Sequence, residues 1–236
     1  MYKKFFKRVL DFLCAVILLI VLSPILLIVC VAIKLDSKGP VVFKQLRSGK
    51  NNKDFMLYKF RSMAADNDVY DSKSEDRITK VGRILRKTSL DELPQIFNIL
   101  KGEMSFIGPR PWIPEYSKNF NKFQMRRLVV LPGITGLAQA SGRNDLGIIE
   151  RIELDVNYVD KLTILMDIKV VLKTIKSVLK HEGFSNTKSA IHDEIKVLEM
   201  QHEKKVKKET TKQKKAKVEK KSKTKTKEKV LVGSGV

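Results

Sequence analysis

Apolar positions run almost unbroken from Phe12 to Ile33 and then give way to short patterned stretches. At 1.5 Å per residue a helix of that run reaches roughly 30 Å, enough to cross a bilayer. Ser23-Pro24 sits at its centre, and proline has no N–H for the carbonyl of Ile20, so a sharp bend is expected there. The Ser23 hydroxyl is placed to bond back to a carbonyl so freed. Lys3, Lys4, Lys7 and Arg8 precede the run and Lys34, Lys38, Lys44 and Arg47 follow it. Basic flanks favour the cytoplasmic side, so a helix that enters and returns satisfies both flanks where a straight span satisfies one. The re-entrant helix and the crossing helix both stand at this level. A cleaved signal peptide does not, because no small-x-small site follows the run.

Beyond the anchor, residues 41–63 alternate as strands do, in VVFKQ and FMLYKFRSM, with Gly49-Lys50-Asn51-Asn52 between them. That pattern predicts a β-hairpin. Ala64 to Arg77 is polar and acidic, a loop or a weak helix. Val81 to Lys87 reads as a short amphipathic helix carrying Arg83, Arg86 and Lys87. From Leu90 to Leu100 the residues Leu93, Ile96, Phe97 and Leu100 recur at helical spacing, with Gly102 as the stop. A later helix has Leu165, Ile168, Val171 or Leu172, Ile175 and Leu179 on one stripe and Lys169, Lys173, Lys176 and Lys180 opposite. Such a stripe either packs on a core or lies in a membrane interface. The pattern predicts an α+β fold: an N-terminal membrane helix, re-entrant or crossing, a small mainly helical cytoplasmic domain with a β-hairpin and amphipathic helices that are either core-packed or interfacial, and a disordered basic tail.

Charge sharpens the boundaries. The chain carries a formal net charge of +21, and 14 Lys stand against 4 acidic residues between Glu203 and Lys229. So polar a segment is expected to be disordered, either a solubilising tail or one drawn to anionic lipid. It lacks interleaved aromatic residues, so no specific nucleic acid is expected as its partner. The expected organisation is an anchor over 1–36, a folded domain over 37–195 and a Lys-rich tail over 196–236. Cys14 and Cys30 both lie in the apolar run and read as small hydrophobes, which excludes a disulfide framework. His181, His192 and His202 come late and form no metal-ligand pattern with cysteine, and neither a Gly-x-Ser-x-Gly elbow nor a Walker loop is present.

Catalysis must then rest on carboxylates and cations. Asp91-Glu92, read as opening a helix just after Arg83, Arg86 and Lys87, are the candidates. Positive potential at a helix start keeps a carboxylate ionised and draws phosphate to it, a setting for an aspartyl nucleophile attacking phosphorus. Two adjacent acids also suit Mg²⁺ held between protein and a diphosphate. Capping is the competing use, with Ser89 or, better, Asp91 as N-cap. Arg110 stands on a stiff loop between prolines, Arg143 and Asn144 close a glycine-rich one, and Lys59 and Arg61 share one side of a strand. All are placed for phosphate oxygens. Asp155 would pair with one of these cations or touch the metal.

KRVLDF, the Ser23-Pro24 break, YKFRSM, Leu-Asp-Glu-Leu-Pro-Gln, KGEMSFIGPRP, PGITGLAQASGRN and ELDVNYV follow one another in order up to about Leu179. As an ordered set they resemble the bacterial monotopic phosphoglycosyl transferases. The resemblance implies an enzyme of the inner membrane, on its cytoplasmic face, that moves a sugar 1-phosphate from a UDP-sugar, taken as N-acetylated, to polyprenyl (undecaprenyl) phosphate. Asp91 would be the nucleophile that carries the phosphosugar after UMP leaves, and Glu92 the second acid, associated with Mg²⁺. Arg110, Arg143 and Asn144 would correspond to nucleotide or phosphate contacts, and with Lys59, Arg61, Arg86, Gln139 and Asp155 they make up the expected substrate site. The re-entrant helix is likewise a property of that family. The Lys-rich extension departs from its compact members. A membrane-anchored protein that binds polyanions through this extension is the alternative.

Overall fold

The computed structural model describes residues 2–64, 77–142, 146–179 and 193–200. The segment expected as a loop between Ala64 and Arg77, Arg143 and Asn144, the three histidines and the tail beyond residue 200 lie wholly or largely outside these residues.

One long apolar helix, α1 (Lys7–Asp36), runs through Pro24 and is long and apolar enough to cross a membrane. The Ser23 hydroxyl donates to the Ile20 carbonyl at 2.8 Å, as the missing proline N–H led one to expect. Asp11, Ala15, Leu19, Leu22, Leu26, Val29 and Ile33 fall three or four apart and form the side of α1 that meets the rest of the molecule. Its other sides are bare, with Ile20 69% and Leu27 68% exposed.

The hairpin forms as its alternation predicts: β1 (Val42–Ser48) pairs antiparallel with β2 (Asp54–Phe60), Val42 opposite Phe60 and Ser48 opposite Asp54. Asn51 and Asn52 both take left-handed backbone in the turn, which asparagine tolerates better than most residues. α2 (Lys80–Thr88) follows, its first turn capped by the Thr79 hydroxyl, which accepts from the N–H of Gly82. After it come a single 3-10 turn, Leu90–Glu92, and α3 (Gln95–Lys101), which stops at Gly102 with φ 85°. β3 (Ser105–Ile107) pairs in parallel with β4 (Gly133–Thr135), so two three-residue strands bring distant loops together. Between them lie α4 (Pro114–Lys118) and a 3-10 segment, Gln124–Leu128. α5 (Leu137–Ser141), α6 (Ile148–Asp160), α7 (Ile164–Leu179) and helical residues 193–200 complete a mixed fold in which helix predominates.

Two apolar clusters join α1 to the domain. Ala15 packs with Phe55 and Leu57 of β2 and with Ile96, Ile99 and Met104 around α3, while Val29 and Ile33 meet Phe60 and Leu85. Polar contacts fix both ends. Arg8 donates to the carbonyls of Ile99 and Leu100 at the end of α3, and Asp11 accepts the N–H of Phe106. At the far end Asp36 accepts the N–H of Val81 at 2.9 Å.

α7 settles which way its apolar stripe points. Its packed side is Asp167, Val170, Thr174 and Ser177, and the stripe faces outward, with Leu165 73% and Leu172 63% exposed. The core-packing reading of that stripe is thus overturned. Asp167 decides the matter, because its carboxylate accepts from Tyr2, Lys7 and Tyr158 and cannot do so from the outer side. Residues 193–200, on either side of the boundary expected at 195/196, form one helix whose Leu198 is 1% exposed among Trp112, Tyr116 and Ile152.

Candidate active site

Asp91 and Glu92 do not open a helix. Ser89 turns left-handed at φ 58° and caps nothing with its side chain, and α3 begins only after Pro94. Proline cannot donate within a helix, so the chain takes a separate 3-10 turn before it and a regular helix after it. Neither the capping box nor Asp91 as N-cap is formed. Leu90 and Leu93 of this turn pack toward Val29 and Ile33 of α1, which puts that apolar helix directly behind the two acids.

Glu92 is held by two cations. Lys59 of β2 and Arg110 of the loop after β3 each donate to its Oε1, both at 3.0 Å. Burial by itself would raise the pKa of Glu92, but Arg110 and then Lys59 outweigh it and hold the group at about 2. Burial pulls the Lys59 amine below its ordinary value, opposed chiefly by Glu92. Asp91 has no hydrogen-bond partner among the described residues. Burial pushes its carboxyl up, Glu92 adds to that, and Lys59, Arg86 and Arg110 offset only part of the rise. Adjacent carboxyls are thus driven apart, one fixed as an anion and one free.

The structure gathers Lys59, Arg86, Asp91, Glu92 and Arg110. Arg86 donates from Nε to the Ser62 hydroxyl at 2.8 Å, and its charge reaches Asp91. Asp155 stands behind this group rather than in it. It is 1% exposed and pairs with Arg127 at 2.7 Å, and Arg127 in turn donates to the carbonyl of Arg110 at 2.7 Å. Arg61 lies apart from the dyad: it donates to the carbonyls of Ser37 and Lys38, closing the open end of α1, because the strand stops at Phe60 and releases it from alternation. Gln139 is also apart, on α5, bonded to the Ile134 carbonyl at 3.1 Å. Arg143 and Asn144 lie outside the described residues.

Arg127 and Arg47 were not singled out by the sequence. Both serve the loop that bears Arg110, Arg47 by donating to the Pro111 carbonyl at 3.4 Å. Arg127 follows Arg126 in an ordinary basic pair, and only its burial separates the two. A cleft opens beside the dyad, lined by Arg47, Leu57, Lys59, Gln95, Arg110 and Pro111, with free space of about 10 Å³, enough for about one water.

For a divalent metal the donor set is spare but consistent. No group of three or more His, Cys, Asp or Glu gathers among the described residues. Asp91 is open and Glu92 uses only Oε1 for its cations. Mg²⁺ characteristically takes one or two carboxylates and completes its shell with water and substrate phosphate, so these residues fit it.

The family model described as bacterial sugar transferase matches residues 2–181. EpsL of Bacillus subtilis, an uncharacterized sugar transferase, is 43% identical over 183 residues, which cover 77% of this chain and 91% of EpsL. The UDP-N-acetylgalactosamine-undecaprenyl-phosphate N-acetylgalactosaminephosphotransferase of Aeromonas hydrophila is 43% identical over 76% of this chain and 45% of its own length. The UDP-glucose:undecaprenyl-phosphate glucose-1-phosphate transferase of Klebsiella pneumoniae is 43% identical over 77% of this chain and 40% of its own. The chain spans under half the length of these last two relatives. Since the matched region contains α1, the dyad and every cation around it, the protein belongs to the bacterial sugar transferase family.

Proposed function

We propose that this enzyme transfers a sugar 1-phosphate from a UDP-sugar to undecaprenyl phosphate through a covalent phosphosugar on Asp91. The observation that carries the reading is the division of labour in the dyad: Glu92 is neutralised by Lys59 and Arg110, while the Asp91 side chain beside them has no hydrogen-bond partner among the described residues. An Asp91 oxygen attacks the phosphorus that bears the sugar, the bond from that phosphorus to the bridging oxygen breaks, and its electron pair leaves with UMP. A phosphate oxygen of the lipid then attacks the same phosphorus, and the Asp91 oxygen departs as a carboxylate. Arg110, Lys59 and Arg86 supply positive charge for the oxygens that gain it. Asp91 and Glu92 would hold Mg²⁺, which neutralises diphosphate charge when bound.

The names of the relatives support undecaprenyl phosphate as acceptor and a UDP-sugar as donor, and they differ in the sugar. The membrane placement follows from the acceptor: its phosphate lies at the headgroup plane while the nucleotide comes from water. With α1 re-entering one leaflet and the bare stripe of α7 in the interface, the dyad meets both without a charge crossing hydrocarbon. We assign that interface to the cytoplasmic face of the inner membrane.

Intact-protein mass spectrometry after incubation with UDP-glucose, UDP-galactose and N-acetylated UDP-sugars, each with Mg²⁺, tests the reading. The wild-type chain should gain the mass of one phosphosugar with its true donor, lose it when undecaprenyl phosphate is added, and gain nothing as Asp91→Asn. Transfer to lipid without an adduct at any time would overturn the covalent route.

A further inference from the structure

The loop that carries Arg110 is fixed carbonyl by carbonyl. Arg127 donates to the oxygen of Arg110, Arg47 to that of Pro111, and the backbone N–H of Ser48 to that of Trp112 at 2.9 Å. Arg127 also stacks on the Trp112 ring, 4.0 Å from its centre, and is oriented from behind by the Oδ2 of Asp155.

A second arginine leans on the same ring. Arg151 lies 5.6 Å from the Trp112 centre, and its charge also reaches Asp155. Asp155 still has one oxygen, Oδ1, buried without a partner among the described residues, so Arg151 has an open acceptor within electrostatic range. What engages Arg151 instead is Glu194, which accepts from it and also from the Tyr116 hydroxyl at 2.7 Å. Glu194 belongs to the helix of residues 193–200, docked through Leu198, and that helix lies beyond the residues matched by the family model.

We propose that Glu194 is a positioning residue for the donor site: by engaging Arg151 it leaves Asp155 to Arg127 alone, and so keeps the carbonyl of Arg110 where its side chain meets Glu92. An unpartnered buried carboxylate oxygen is costly, and an arginine released beside it would turn to it. Arg127 would then share its counter-charge, its hold on the Arg110 carbonyl would slacken, and Arg110 would present poorly to a diphosphate. The inference rests on Arg110 serving the nucleotide sugar, as proposed above.

The test uses the full-length chain as wild type, Glu194→Ala, Glu194→Gln, Arg151→Met and the double variant Glu194→Ala/Arg151→Met. Glu194→Ala should raise KM for the UDP-sugar about fivefold, the range of couplings carried by such networks, with kcat and the KM for undecaprenyl phosphate within about twofold. Glu194→Gln should fall between. In the Arg151→Met background Glu194→Ala should have no further effect, since the arginine that would compete for Asp155 is gone. Trp112 is the chain's one tryptophan, so its fluorescence reports the rearrangement without any turnover, shifting in Glu194→Ala and not in the double variant relative to Arg151→Met. Unchanged donor KM and fluorescence would overturn the proposal, as would an equal loss in every kinetic parameter that persists in the Arg151→Met background. Should wild type transfer no sugar phosphate at all, the functional reading fails while the fluorescence arm still decides the contact network.

Discussion

On the proposed route the Asp91 carboxylate must be an anion and must be free, and those demands oppose each other. Burial favours its neutral form, so its folded pKa lies above the ordinary value. The sign follows: ionised Asp91 costs stability, and the cost is absent at low pH and grows as pH rises through the folded pKa. Asp91→Asn should therefore raise the melting temperature at pH 7, and on the proposed route it should abolish the adduct. A lower melting temperature would contradict burial as the cause. Glu92 has the opposite sign. Its drop from 4.5 to about 2 is worth on the order of 3 kcal/mol, present above pH 4.5 and lost as pH falls toward 2. Glu92→Gln should lose about that much at pH 7, and thermal denaturation against pH should show the two proteins converging between pH 4.5 and 2.

At the level of elements, local patterns were legible and non-local ones were not. The hairpin, α2 and the stop at Gly102 could be read because alternation, helical spacing and turn residues each act within a few positions. Leu90 to Leu100 read as one helix because the spacing of Leu93, Ile96 and Leu100 survives the break; the left-handed Ser89 and Pro94 divide it into turn and helix. The parallel pair β3 and β4 has three residues per strand and a long intervening segment, too little pattern to predict. The stripe on α7 was visible, but its direction depended on Asp167 and its distant donors. Asp91, Glu92 and Arg110 stood out in the sequence as charge beside turn residues and Lys59 as a cation on a predicted strand, whereas Arg127 gains its meaning only from burial. Asn98 shows how such contacts assemble the site. Fully buried on α3, it accepts the N–H of Tyr58 at 3.1 Å and donates to the carbonyl of Met56 at 2.7 Å, so it stands in for a neighbouring strand along β2. Asn98→Ala strands both backbone groups, at about 1–3 kcal/mol, and should lower the melting temperature by about 6 °C. It should also reduce turnover, because β2 brings Lys59 to Glu92 from this register. A variant with normal turnover would show that Lys59 finds its place without the clip.

For the whole molecule the governing fact is that one domain grips α1 at both ends. Arg8 and Asp11 bind α3 and β3, and Asp36 binds α2, while a single stripe joins the helix to the domain in between. A straight helix of 30 residues is about 45 Å long and would cross a bilayer with length to spare. To do so here it would have to pull the domain's charged contacts through the hydrocarbon, or break them. Returning to the side of entry keeps them, and it leaves the bare face of α1 for lipid. The two arrangements differ in where Lys3 lies relative to Lys38, both exposed. With Cys14 and Cys30 replaced by serine, single cysteines at these two positions should react alike with a membrane-impermeant maleimide, in inside-out vesicles and not in right-side-out ones. A crossing helix would label one position in each preparation. That result would separate the ends of α1 by a bilayer, and the contacts of Arg8 and Asp36 with one domain could not then coexist.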